Sequence, residues 1–68
     1  MIVRIKNAPL ELGPGTIGQL LERRVLFLRK EVDDRLVDIE GGTKSDLEKL
    51  RRMLPATQFE DVTGESPP

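Results

Sequence analysis

The feature that most constrains this chain is the spacing of its apolar residues between Thr16 and Glu40. At about 100° per residue, seven of them fall within an arc of about 100°, which is typical of the buried side of an amphipathic helix. The sequence therefore predicts one helix over 16–40, roughly 35 Å long, with Thr16 as its N-cap. The seven residues are Ile17, Leu21, Val25, Leu28, Val32, Leu36 and Ile39.

A second, shorter helix is predicted over 44–54. The Gly41-Gly42 pair ends the first helix, because glycine supplies the left-handed residue after a helix terminus. Ser45-Asp46-Leu47-Glu48 has the form of a capping box, and Thr43 with Asp46 is an alternative cap. Two helices joined by so short a turn are expected to pack as an antiparallel hairpin.

The two ends of the chain have different characters. Ile2–Lys6 and Leu10–Leu12 are β-rich around the turn-forming Asn7-Ala8-Pro9, so residues 1–12 predict a short hairpin, or a single strand that pairs with another chain. Gly13-Pro14-Gly15 ends that segment. Residues 55–68 are predicted to be a flexible acidic tail. The predicted fold class is α+β, mainly α, with one small domain over 1–54.

Composition limits the chemistry that is available. The 68 residues include no Cys and no His, and the formal net charge is −1. Thiol and imidazole catalysis are therefore excluded, together with the commonest zinc ligands. We expect no enzyme activity, no cofactor and no metal site. No apolar run is long enough to cross a membrane, so we expect no membrane association and a cytoplasmic protein, or one within a particle assembled there.

The predicted long helix carries more apolar surface than the second helix is able to cover. Exposed apolar residues are normal when scattered, but Leu20, Leu26, Phe27 and Val37 lie off the stripe of a single helix. This pattern predicts self-association or an obligate protein partner. The predicted interaction face comprises Ile17, Leu20, Leu21, Val25, Leu26, Phe27, Leu28, Val32, Leu36, Val37 and Ile39. Leu28→Asp is expected to unfold the chain, because it places a charge in the stripe.

Nucleic-acid binding is a weaker expectation. The candidate contacts are Arg4, Lys6, Arg23 and Lys30, which would bind phosphates. Aromatic residues that would stack on bases do not interleave with these side chains. Nucleic acid is therefore a less favoured partner than protein.

Three stretches resemble parts of known families. Met1–Glu22 resembles the opening of β-grasp sulfur-carrier proteins, through the runs Asn7-Ala8-Pro9-Leu10-Glu11-Leu12 and Thr16-Ile17-Gly18-Gln19-Leu20-Leu21. Those proteins end in an adenylated Gly-Gly, which has no counterpart in Ser66-Pro67-Pro68. Leu20–Leu28 with Glu31-Val32-Asp33-Asp34 is similar to Clp protease subunits, which implies a strand at 25–28. Gly42–Leu54 is similar to the second helix of ribbon-helix-helix repressors, which implies a DNA-binding dimer.

The functional prediction combines these observations. The chain is expected to be a non-catalytic interaction or structural subunit that self-associates or docks into a larger assembly, such as a phage or multi-subunit particle. The alternative is a ribbon-helix-helix-like DNA-binding regulator or antitoxin.

Overall fold

The computed structural model describes residues 1–31 and 34–64. This part of the chain forms four strands and two helices in the order β-α-β-β-α-β. The elements are β1 Ile2–Lys6, α1 Pro14–Leu21, β2 Val25–Lys30, β3 Asp34–Ile39, α2 Lys44–Met53 and β4 Gln58–Asp61.

The four strands form one antiparallel sheet in the order β2-β3-β1-β4. Strand β1 is central: it pairs with β3 from Ile2↔Asp38 to Lys6↔Asp34, and with β4 from Val3↔Asp61 to Lys6↔Gln58. Strands β1 and β2 are therefore parallel with β3 between them, and β3 and β4 are parallel with β1 between them. This is the split βαβ, or ferredoxin-like, connectivity. Connectivity of this kind does not specify a function.

Both helices cover the same face of the sheet. Side chains alternate between the two faces of a strand, and the buried residues of β1 and β3 are Val3, Ile5, Arg35, Val37 and Ile39. The apolar members of that set share one core cluster with six further buried residues, which come from α1, α2, β4 and the loop before α1: Leu12, Ile17, Leu21, Leu47, Leu50 and Phe59. Neither helix covers the opposite face of the sheet, which we call the open face.

The prediction of one helix over 16–40, and of a mainly α fold, was wrong. Helix α1 ends at Leu21 because Glu22 takes a left-handed conformation, with φ of 55°. The turn brings the Arg23 carbonyl so close to Gly18 that a Cβ there would lie 2.8 Å from it. Residues 25–30 and 34–39 then pair as β2 and β3. The strand that the Clp-like stretch implied at 25–28 is present.

The start of α1 also differs from the prediction. Pro14 is the first helical residue and Gly13 is the N-cap, since proline lacks the N–H that a first-turn residue leaves unused. Thr16 therefore lies inside the helix, where its hydroxyl donates to the Glu11 carbonyl at 3.4 Å. Gly13-Pro14-Gly15 begins a helix as well as ending the preceding segment.

The second helix is confirmed, but not its packing partner. Helix α2 runs from Lys44 to Met53 with Thr43 as the N-cap, and the Thr43 N–H donates to Asp46 Oδ2 at 2.8 Å. The alternative cap is therefore the one that forms. The predicted helical hairpin does not form, because α2 packs on the sheet beside β4. No helix within 1–31 or 34–64 has the length and apolar character needed to cross a lipid bilayer.

The two ends of the chain required correction as well. Asn7 has φ of 57°, as its turn-forming role predicts. Leu10–Leu12, however, is a turn and not a strand, and its Leu12 N–H donates to the Pro9 carbonyl at 3.0 Å. The predicted hairpin is therefore replaced by β1 alone, paired within its own chain. The predicted tail contributes β4, since Phe59 fits the core beside Ile5; residues 65–68 lie outside the described residues.

Candidate functional site

The outer edge of β2 exposes three consecutive large apolar side chains. Leu26, Phe27 and Leu28 are 47%, 42% and 50% exposed. Within the described ranges, β2 pairs with β3 and with no other strand. Edge strands that combine an unpaired backbone with apolar side chains are ready templates for another strand. We call this side of Val25–Lys30 the β2 edge.

The register places the exposed side chains on both faces of the sheet. Val25 and Phe27 pair with Ile39 and Val37, so they lie on the helix-covered face. Leu26 pairs with Asp38 on the open face. A bulge follows Phe27, after which Arg29 pairs with Leu36, and the strand bends there. The regular part of the edge is therefore Val25–Phe27.

Alternate backbone groups of β2 point away from β3. The Glu40 N–H donates to the Arg24 carbonyl at 2.9 Å, so Arg24 and Glu40 form a hydrogen-bonded pair. Hydrogen-bonded and non-hydrogen-bonded pairs alternate along an antiparallel ladder. The N–H and C=O groups of Val25 and Phe27 consequently point away from β3.

Basic side chains flank the apolar residues of the β2 edge. Arg29 Nε lies 3.4 Å from Glu31 Oε1, and Arg23 Nε lies 2.9 Å from Asp46 Oδ2. Arg24 and Lys30 are exposed, and neither forms an ion pair with any residue of 1–31 or 34–64. A partner strand at this edge therefore meets basic side chains on both sides of the apolar run.

The opposite edge of the sheet, β4, is acidic. Glu60 and Asp61 are exposed, whereas Phe59 is buried. The Val62 N–H donates to the Ile2 carbonyl at 2.9 Å, so the alternation leaves the N–H and C=O groups of Phe59 and Asp61 pointing outward. Hydrogen bonds from the Thr63 hydroxyl and N–H lower the pKa of Asp61. We call this side of Gln58–Asp61 the β4 edge.

The open face of the sheet is a network of opposite charges. Arg4 Nε lies 3.5 Å from Asp34 Oδ2, and Arg4 Nη1 lies 3.9 Å from Glu60 Oε2. Arg29 Nη2 lies 3.8 Å from the same Asp34 oxygen. Bases and acids alternate across the strands, so this face has no single charge sign that would attract a polyanion.

The four candidate nucleic-acid contacts do not form one surface. Arg4 and Lys6 lie on the open face, where they pair across the sheet with Leu36 and Asp34. Lys30 pairs with Arg35 on the helix-covered face. Arg23 lies in the loop after α1 and binds Asp46. The sequence contains two aromatic residues, and both Phe27 and Phe59 share a face with the core.

The predicted interaction face is divided by the fold. Val32 lies outside the described residues. Leu26, Phe27 and Leu28 are exposed on β2, which makes them the members that a partner would reach. Leu36 is half-buried on the open face. The remaining members belong to the core or pack against it: Ile17, Leu20, Leu21, Val25, Val37 and Ile39.

The sequence interpretation missed the contribution of Arg24 and of the whole β4 edge. The available signal was the run Val25-Leu26-Phe27-Leu28 with basic residues on both sides, which is typical of a strand with gatekeeper charges. No cluster of three or more potential metal-ligating side chains occurs in the described part of the chain.

Comparison with known proteins gives no relative: no family model matches the chain, and no curated protein or solved structure is significantly similar to it. The three local resemblances therefore gain no support from these comparisons. The ribbon-helix-helix interpretation also lacks a free ribbon at the start of the chain, because β1 is paired on both sides.

Proposed function

We propose that this domain is a non-catalytic protein-interaction or structural subunit that docks through the β2 edge. The single observation that carries the proposal is the run of exposed Leu26, Phe27 and Leu28 on a strand whose outer backbone groups face solvent. The binding mode is strand addition, in which backbone hydrogen bonds supply affinity and alternate side chains supply specificity.

Features that protect an edge strand from pairing are also present, and they limit the docking segment. A bulge and basic side chains commonly discourage strand addition, and here the bulge follows Phe27 while Arg29 and Lys30 lie beyond it. The bulge and these basic side chains discourage pairing along the second half of β2. Arg24–Phe27 is therefore the segment that accepts a partner strand.

The exposed apolar side chains distinguish the β2 edge from an edge strand that is only protected against pairing. Burying apolar surface stabilises an interface by about 25 cal/mol per Å², and a partner strand would cover parts of both Leu26 and Phe27 from opposite faces. The proposed partner is protein, either another copy or a component of a larger assembly such as a phage or multi-subunit particle. A cytoplasmic location is part of the same proposal.

Amide hydrogen exchange tests the proposal directly. In an isolated domain, the Val25 and Phe27 amides exchange freely because they point away from β3. Docking should protect both, whether it occurs by self-association at rising protein concentration or by addition of extended peptides with apolar centres and acidic flanks. Phe27→Lys should abolish the protection, whereas Leu10→Lys should not, because Leu10 is 95% exposed in a distant loop. Free exchange of both amides under all of these conditions would refute the proposal.

A further inference from the structure

We infer that the partner of the β2 edge is a second copy of this chain, which presents its β4 edge in a head-to-tail arrangement. This inference rests on the proposed function and identifies its partner. Each copy would then offer one edge to each of two neighbours, so the sheet continues from copy to copy.

Strand direction permits this arrangement without inverting the second copy. Strand β4 is antiparallel to β1, and β1 is parallel to β2 through their shared neighbour β3. Strands β2 and β4 of one chain are therefore antiparallel to each other. A copy placed alongside in the same orientation brings its β4 antiparallel to the first copy's β2, which is the pairing found throughout this sheet.

Charge disfavours the two symmetric alternatives. A β2–β2 contact would bring together two copies of segment 24–30, which has three basic residues and no acidic one. A β4–β4 contact would bring together two copies of segment 58–61, which has two acidic residues and no basic one. Like charges that meet across an interface repel, so both symmetric dimers are less favourable than a contact between the two different edges.

The head-to-tail pairing brings opposite charges together. Val25 and Phe27 have outward backbone groups on β2, and Phe59 has them on β4. Pairing Val25 with Phe59 keeps both side chains on the helix-covered face and places Arg24 opposite Glu60 on the open face. Arg24 forms no ion pair with a described residue of its own chain, and the Glu60 side chain is 62% exposed, so both groups are accessible for this contact.

A mixing experiment with two edge-blocked variants tests the arrangement. Phe27→Pro removes an outward N–H while leaving the ladder to β3, since proline is tolerated on edge strands when its missing N–H faces solvent. Glu60→Lys reverses a charge on β4, and Glu60→Gln provides a milder variant should the lysine perturb Arg4. Far-UV circular dichroism confirms that each variant is folded, and sedimentation velocity measures mass.

The expected result has three parts. The full chain should form species larger than a dimer as its concentration rises, because a head-to-tail contact does not close on two copies. Each blocked variant alone should remain a monomer. Their equimolar mixture should form a complex with the mass of two chains and nothing larger, and added salt should weaken it by screening the charge pair.

Other outcomes overturn the inference in distinguishable ways. Dimers of the Glu60→Lys variant alone would indicate β2–β2 pairing, and dimers of the Phe27→Pro variant alone would indicate β4–β4 pairing. A monomeric full chain whose Val25 and Phe27 amides are protected by an acidic extended peptide would retain the proposed function with a different partner. A full chain that associates equally well with either edge blocked would overturn both proposals.

Discussion

The guanidinium Nε of Arg23 lies 2.9 Å from Asp46 Oδ2, which fastens the loop after α1 to the first turn of α2. The same carboxylate oxygen accepts the Thr43 N–H at 2.8 Å. Burial raises the pKa of Asp46, but the hydrogen bonds from Thr43 and the charge of Arg23 outweigh it, so the pKa lies below its ordinary value. The Asp46 side chain therefore caps α2 and links the loop after α1 to the loop before α2.

Stability should depend on pH through Asp46. Because its pKa is lower in the folded state than in the unfolded state, its contribution is present at neutral pH and is lost as the pH falls through the folded pKa. Asp46→Asn should cost about 1 kcal/mol near pH 7. Urea denaturation should show that difference shrinking below about pH 4. Glu48→Gln, an exposed change on the same helix, should show no comparable loss.

Gly18 and Gly15 form a matched pair within α1. Alanine normally stabilises a helix relative to glycine by about 1 kcal/mol. A Cβ at Gly15 meets nothing within 4 Å, whereas a Cβ at Gly18 would lie 2.8 Å from the Arg23 carbonyl oxygen. Gly15→Ala should therefore raise the free energy of unfolding and Gly18→Ala should lower it. Equal stabilisation by both changes would mean that the turn after α1 is not as tight as described.

Arg35 is the buried charge of the core face and is 8% exposed. Its Nη1 donates to the Leu12 carbonyl and, at 3.3 Å, to the Pro9 carbonyl. Arg35→Met should remove the side-chain donor of the Leu12 carbonyl, while the Pro9 carbonyl keeps the Leu12 N–H. The change should cost about 1–3 kcal/mol, measured by urea denaturation. Arg52→Met, an exposed change on α2, should stay within about 0.5 kcal/mol.

The effect expected for Leu28→Asp is now reversed. The long-helix interpretation placed Leu28 in a buried stripe, but the side chain is 50% exposed at the bulge of β2. Leu28→Asp should therefore leave the chain folded, with the circular dichroism spectrum of the unchanged protein. Val37→Asp, at a fully buried position on β3, should unfold the chain because a carboxylate there loses its hydration among apolar side chains.

Sequence patterns identified some elements because local chemistry determines them. Helix α2 has a capping motif, an apolar stripe and a terminating Pro55, and its predicted and observed bounds nearly coincide. Asn7 was predicted to lie in a turn, and it does so with a left-handed conformation. The long helix was predicted in error because a run such as Val25–Leu28 satisfies a helical and an extended period equally. Glu22 gave no warning that it would take the left-handed conformation that ends α1.

The candidate site was predictable only in part. Leu26, Phe27 and Leu28 were among the eleven predicted interaction residues, but so were Val37 and Ile39, which are fully buried. Separating the two groups requires knowing that β2 is an edge strand and β3 is not. That assignment depends on the pairing of β1 with β3 and β4. The order of the elements along the chain does not reveal this pairing.

The position of β1 at the centre of the sheet has a kinetic consequence. Val3 must pair with Val37 on one side and with Asp61 on the other. The middle of the sheet is therefore assembled from segments that are far apart in the sequence. Proteins dominated by such non-local pairing fold more slowly than helical hairpins of similar size. Any chain in which β4 is not yet paired leaves one side of the Ile2–Lys6 strand unoccupied, and an unpaired strand edge of this kind favours mispairing.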